Sequence, residues 1–414
     1  MWVGGISMKK VVILVSIICL LGVLTLFFFL RGGKEENLFP NFVGEKKEVV
    51  EKYAKDNKLK IIYEEEYSDE EKGTVIKQNK EEGSKLDVTE EIIITISLGE
   101  VPAEVYRRHK VDELGRVPIM MYHGIHNMRD SETQHVGGNV DKDGYQRTAE
   151  AFRRDLELYY RKGYRMIRLE DYVNGKIDVA LGYSPIILTF DDGHSTNIRV
   201  TGRDENGKII IDPNSAVGIL EEFKTKYPDF NVTATFFLNG SLFQQKEYNE
   251  DILKWLVANG YDIGNHSYGH ANFNNISYDN VVKEVATMYQ KLDEVIPGGY
   301  INVVALPFGY PNNGHKNFPA VLSGNFNGYS YNTVAALRAG WESDLSPFNP
   351  SFNKTFIKRI RAYDNRGNDF DIEYAMSVLD STRYISDGDI NQITVPSSKK
   401  DKIGETYGLK IRTY

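Results

Sequence analysis

The sequence predicts an α/β domain with a mostly parallel sheet as its larger, C-terminal part, preceded by a small α+β unit and a membrane-spanning N-terminal helix. Three observations predict this. An uncharged apolar run, Val11 to Leu30, lies near the start. One helix-like stretch and three strand-like runs share the interval 38–100. From Val117 onward strand-like and helix-like stretches alternate, the pattern of a parallel sheet flanked by helices.

The 414 residues suffice for two or three domains, and 41% hydrophobic with 26% charged residues is an ordinary globular balance that can fill a core. A formal net charge of −8 argues against a nucleic-acid-binding surface, which needs concentrated Lys and Arg. It also fits a neutral or cationic glycan better than a polyanion.

The run from Val11 to Leu30 is long enough, at about 1.5 Å per residue, to cross a hydrocarbon core of about 30 Å. Lys9 and Lys10 precede it and favour a cytoplasmic N-terminus, with the rest of the chain on the outer side of the cell membrane. A cleaved signal peptide would have a shorter apolar region ending in small residues, whereas this run ends in Leu-Phe-Phe-Phe-Leu. The single cysteine, Cys19, lies inside it, so the outer part has no disulfides and no thiolate metal ligand. Residues 1–37 are therefore read as tip, anchor and linker.

In the unit 38–100, a helical stretch (Lys46 to Asn57) places Val49, Val50, Tyr53 and Ala54 on one face. Strand-like runs follow at Lys60–Tyr63, Gly73–Ile76 and Ile92–Ile96. The segments Phe39-Pro40-Asn41-Phe42-Val43-Gly44, Gly73-Thr74-Val75-Ile76-Lys77-Gln78 and Ile96-Ser97-Leu98-Gly99 resemble a PASTA domain. That resemblance implies association with cell-wall peptidoglycan, or a spacer role. Asn79-Lys80 stands where the family pattern has proline.

Residues 101–116 read as a charged connector, 117–395 as the α/β domain and 396–414 as a tail. Strands are expected at Val117–Tyr122, Pro185–Phe190, Asn231–Leu238, Tyr261–Gly264, Asn302–Leu306 and Thr355–Ile360. Helices are expected at Thr148–Lys162, Ser215–Lys224, Asp251–Asn259, Tyr278–Val295 and Asp369–Leu379, with an inserted β-hairpin at Arg199–Asn214 and loops after Asp387.

Two motifs carry chemistry. Ile186-Ile187-Leu188-Thr189-Phe190 runs into Asp191-Asp192-Gly193. Adjacent carboxylates are costly unless a cation or proton lies between them, although Asp-Asp-Gly is also good turn chemistry. Gly264-Asn265-His266-Ser267-Tyr268-Gly269-His270 offers two histidines at i, i+4, a spacing that lets both reach one cation from a helical turn. Together, two imidazoles and a carboxylate make a facial N/N/O set with open positions.

These motifs resemble those of the polysaccharide deacetylase (NodB-homology, carbohydrate esterase 4-like) family, in family order. The resemblance implies a distorted (β/α) barrel and a metal-dependent hydrolase that removes N-acetyl groups from N-acetylglucosamine-type residues of peptidoglycan or another glycan. It implies Asp192, His266 and His270 as metal ligands and Asp191 as the base that activates the attacking water. The metal would be Zn2+ by default, with Co2+, Ni2+, Mn2+ or Fe2+ also suited to the set. It also implies the Phe308 amide, in Leu306-Pro307-Phe308-Gly309, as the oxyanion donor.

The chain departs from the family twice. Ala305 stands where an arginine usually holds the base, leaving Arg338, Arg359 and Arg361 as possible replacements. The late Leu-x-His of the leaving-group acid is absent. The element Met120-Met121-Tyr122-His123 resembles one in the poly-N-acetylglucosamine deacetylase branch, which implies His123 as the acid. Tyr268, Tyr310 and Trp341 are candidate sugar-stacking residues. His109, His126, His135 and His194 read as surface or loop residues, and His315 as a weaker acid candidate. Two other functions remain open: an O-acetyl esterase on the same site, and a non-catalytic wall-binding protein.

Overall fold

The computed structural model of the chain describes residues 38–368 and 370–414. They form two compact units, the first ending at Pro102 and the second running Ala103–Tyr414. The apolar run Val11–Leu30 and Cys19 lie outside the described residues. Among the described residues no helix is long and apolar enough to cross a membrane.

The first unit contains α1 (Lys47–Asn57), β1 (Ile61–Glu66), β2 (Val75–Gln78) and β3 (Ile92–Ser97). The central strand is β3, parallel to β1 and antiparallel to β2. It is also the most apolar: Ile92, Ile94 and Ile96 pack with Phe39, Phe42 and Val50. Val49 is 44% exposed rather than sharing that face.

The second unit is built on one eight-stranded sheet. Its strands are β4 (Ile119–Tyr122), β5 (Tyr164–Met166), β6 (Ser184–Phe190), β7 (Thr235–Leu238), β8 (Asp262–Asn265), β9 (Val303–Ala305), β10 (Ala335–Leu337) and β11 (Ile360–Arg361). The spatial order is β10-β9-β8-β7-β6-β4-β11, with β5 beside the start of β6, and every pairing is parallel. The run leading into β11 also bonds to β10: Ile357 N donates to Ala336 O at 2.8 Å and Arg338 N to Ile357 O at 2.9 Å. One segment thus joins both ends of the sheet, which curls into a distorted barrel.

All seven residues of β6 are buried, as a central parallel strand requires. Alternation sorts them: Ile186, Leu188 and Phe190 face the outer helices, whereas Ile187 faces an inner cluster with Ile119, Phe237, Ala305 and Leu337. Helices α2 (Ala149–Arg161), α3 (Ala216–Lys226), α4 (Asn249–Ala258) and α5 (Tyr278–Val295) follow strands of the sheet. The N-cap hydroxyls of Thr148, Ser215 and Ser277 start three of them, each accepting from the backbone N–H three residues on. Packing Phe152, Leu156, Phe223 and Leu253 onto the outer face removes about 1.5–3 kcal/mol worth of apolar surface per side chain from water.

Several elements differ from expectation. Strands β5 and β10 and a hairpin at Ser323–Phe326 and Tyr329–Asn332 had not been predicted, although Asn327-Gly328 is a good hairpin turn. The stretch 101–116 holds a helix, Ala103–His109, whose Tyr106 is fully buried. Past Asp387 the chain forms paired strands, Gln392–Val395 and Lys410–Thr413, rather than loops. Ile393 and Val395 explain this, because both are fully buried in the inner cluster.

Candidate metal centre and catalytic pocket

The inner-face period of the sheet continues past the strand ends and aims the candidate residues at one place. On β6 the inner positions are Ile187 and Thr189, then Asp191; on β4, Ile119 and Met121, then His123; on β8, Gly264, then His266. Backbone bonds extend the ladder far enough to hold this phase: Asp191 N donates to Tyr122 O at 2.9 Å and His266 N to Leu238 O at 2.8 Å.

Asp192 is out of phase and would face outward on a continuing strand. Its backbone is instead left-handed (φ 72°), as is Gly193 (φ 62°). A Cβ at Gly193 would lie 2.1 Å from Leu242 O, so only glycine fits there. Asn239 Nδ2 donates to Asp192 O at 3.1 Å and ties down the turn. The strained turn swings Asp192 over the histidines.

The two histidines meet Asp192 without a helical turn. No helix forms over 266–270; Ser267 (φ 60°) and His270 (φ 55°) reverse the chain through left-handed backbone. The expected helical turn is thus replaced, because Asn265 Oδ1 accepts from Ser267 N at 2.8 Å and Glu284 Oε2 from Gly269 N at 2.5 Å, directing the backbone elsewhere.

His266 Nε2 and His270 Nε2 each lie 3.2 Å from Asp192 Oδ1. One ligand atom from each residue falls within 4.8 Å of the others. Asp192 Oδ1 is buried, yet no hydrogen bond satisfies it. The Nδ1 of His266 meets Ala305 O at 2.8 Å, so the proton of the neutral ring belongs on Nδ1 and the Nε2 lone pair faces the carboxylate. Lone pairs converging on an unsatisfied carboxylate oxygen are the arrangement a divalent cation resolves, and the N/N/O donors fit one. Burial pushes the Asp192 carboxyl up, but His194, His266 and His270 around it hold it far below the usual carboxylate range.

Asp191 has a different environment. It is 2% exposed, and Arg359, with no exposed surface, forks it: Nη1 to Oδ1 and Nη2 to Oδ2, both at 2.7 Å. Arg359 Nη1 also reaches Thr189 Oγ1 at 3.1 Å, and its Nε donates to Arg338 O at 3.0 Å. Burial raises the Asp191 carboxyl, but Arg359, His266 and His123 together outweigh it, and the net position is below the ordinary value. Of the three arginines that could replace the one missing at Ala305, Arg359 therefore holds the base candidate.

The pocket has a volume of roughly 280 Å3 and is lined by Asp191, Asp192, His266 and His270 together with His123, Tyr145 and Phe308. Nε2 of His123 lies 4.0 Å from Asp192 Oδ2, and burial pushes its pKa down to about 4. Phe308 is in the left-handed region (φ 57°) within the turn Pro307–Gly309; among the described residues its N–H has no acceptor.

Other expectations fare differently. Tyr268 and Tyr310 are exposed and do not line the pocket, and Trp341 lines a separate cleft with Phe370 and Tyr374. The pocket's aromatic walls are Tyr145 and Phe308 instead. Tyr145 comes from a loop without any motif and packs edge-on to His123 at 4.9 Å. His194, expected at the surface, lies 3.6 Å from Asp192 Oδ2 and 3.4 Å from Gln146, which in turn meets His126. Its place two residues after Asp192 was the available signal. The His315 ring accepts from Asn317 N and does not line the pocket.

Residues 179–318 match the family model for polysaccharide deacetylase, and residues 39–98 that for the PASTA domain. No curated protein matches the chain. Among solved structures it is similar to the Streptococcus pyogenes deacetylase PplD, with 18% identity and TM-score 0.43 over 61% of this chain and 94% of that one. It is also similar to IcaB from Ammonifex degensii, with 14% identity and TM-score 0.39 over 60% and 92%. With peptidoglycan deacetylase PdaC from Bacillus subtilis it shares 28% identity, with TM-score 0.23, over 31% of this chain and 52% of that one.

Proposed function

Starting from a chain that carries a polysaccharide deacetylase domain and a PASTA domain, we propose that it is a divalent-metal-dependent hydrolase that removes N-acetyl groups from hexosamines of a cell-wall glycan. The observation that carries this reading is the pairing of unlike carboxylates. Asp192 Oδ1 faces two imidazoles without a hydrogen bond, while Asp191 beside it is forked by Arg359.

Asp192, His266 and His270 would hold the cation, with zinc the default for such donors. When bound, it lowers the pKa of water and polarises the acetamide carbonyl. Asp191 takes the water proton: Arg359 fixes both carboxylate oxygens, and each keeps a further lone pair for that proton. The free Phe308 N–H serves the developing oxyanion. His123, opposite and neutral near pH 7, passes to the departing amine the proton that Asp191 takes from the water, since the amine cannot leave as its anion near neutral pH. The uncharged run Val11–Leu30 behind Lys9 and Lys10 supports a cell-membrane anchor with the enzyme outside, and the PASTA unit supports a place at the wall as spacer or glycan holder.

The test is acetate release by the full chain from peptidoglycan, chitin oligomers and poly-N-acetylglucosamine. Release should fall to background with a chelator and return on adding a divalent metal. Wall binding with no acetate from any substrate would leave a non-catalytic binding protein instead.

A second reading, ester hydrolysis at the same site, rests on His123 being, among the described residues, the sole imidazole lining the pocket outside the ligand set. An alcohol leaves with less protonation than an amine. His123→Ala should therefore lower N-acetyl hydrolysis by about 10²–10⁴ and spare O-acetyl hydrolysis far more. Undiminished amide hydrolysis in this variant would remove His123 from the acid role.

A further inference from the structure

Two arginines on the same strand have opposite surroundings. Arg359 and Arg361 are two residues apart, so alternation places both on the inner face, while Ile360 between them joins the outer core. Arg361 stands about 7 Å further along the strand, beyond the level at which Arg359 meets Asp191. Its backbone is held by pairing with Met121, which lines the pocket, and by an N–H bond to Gly340 O at 2.9 Å.

Every polar edge of Arg359 is used. The guanidinium of Arg361 instead packs over two rings, 5.1 Å from the centroid of Tyr145 and 4.7 Å from that of Tyr363. The two tyrosine segments are closely packed: a Cβ on Gly144 would sit 2.0 Å from the Tyr363 ring. Stacking holds the plane of the group but uses none of its N–H donors. Among the described residues no carboxylate, carbonyl or hydroxyl accepts from them, and no ion pair includes Arg361. A half-buried cation is thus held with its donor fork vacant, beside Tyr145, which lines the pocket and touches His123.

We propose that Arg361 receives an anionic group, a carboxylate or a phosphate, carried by the glycan near the acetylated sugar, and makes the site selective for acidic over neutral glycans. This rests on the glycan-deacetylase reading above. The net charge of −8 would by itself disfavour such a substrate. A positioned guanidinium reverses that locally, because a forked, charge-assisted contact acts at short range while exposed charges are screened beyond about 8–10 Å.

The test compares kcat/KM of the full chain on three sets of acetylated oligomers of equal length: muramic-acid-containing glycan (carboxylate), a phosphodiester-bearing N-acetylhexosamine glycan, and neutral N-acetylglucosamine oligomers. One anionic set should exceed the neutral set by about tenfold, and the better one identifies the anion. In Arg361→Gln the ratio should collapse toward one, chiefly through KM, and Arg361→Lys should keep part of it. A wild-type ratio of one, or equal losses on anionic and neutral sets, would overturn the proposal and leave Arg361 as a prop for Tyr145. If no acetate is released from any set, the deacetylase reading falls. Equilibrium binding of the same oligomers to wild type and Arg361→Gln then decides Arg361 by the same ratio.

Discussion

Arg359→Met is expected to damage both stability and activity. The methionine fills most of the space but leaves the Asp191 carboxylate buried without its fork. Removing one partner of a buried pair costs about 3–5 kcal/mol, because the remaining charge has neither water nor counter-charge. The geometry favours the upper part of that range: Asp191 is 2% exposed, Arg359 is fully buried, and both Nη atoms bond at 2.7 Å. Losing a positioned base should also lower acetate release by about 10²–10⁴. Arg359→Lys, a point charge without the fork, should fall between the two. Thermal denaturation and acetate release on the same preparations check this. A variant as stable and active as the parent would mean that Asp191 does not depend on Arg359.

The second large effect concerns the cation. Asp192→Ala should abolish tight binding of Zn2+ and reduce acetate release to background while leaving the fold in place, since Asp192 is only partly buried. In the parent protein, a metal present at about a hundred times its Kd should stabilise the native state by about 2.7 kcal/mol, read as a rise in Tm. Asp192→Ala should show no such rise. Metal content after gel filtration gives an independent readout. Zinc retained at full occupancy by Asp192→Ala would place the cation elsewhere and undo the proposed ligand set.

Not every part of this site was equally legible. The motifs Asp191-Asp192-Gly193 and His266 to His270 could be read directly, because a strand end brings neighbouring residues together whatever the rest of the fold does. The family match covers 179–318, which contains both motifs and Phe308 but neither His123 nor Arg359. The short strand Ala335–Leu337 went unpredicted for a local reason. Two alanines and a leucine have little strand preference of their own, and only burial between β9 and the run into β11 makes them extended. Tyr145 had no signal, since loop aromatics are common and only the fold selects the one that faces the pocket.

The sequence by itself determined which residues carry charge or lone pairs, and that two carboxylates and two imidazoles would sit at strand ends. The tertiary structure alone decided which arginine meets Asp191, 168 residues away, and which is left with its donors vacant. The reason is that strand alternation chooses a face locally. The facing partner is chosen by closure of the sheet, through one segment bonded to strands at both of its ends.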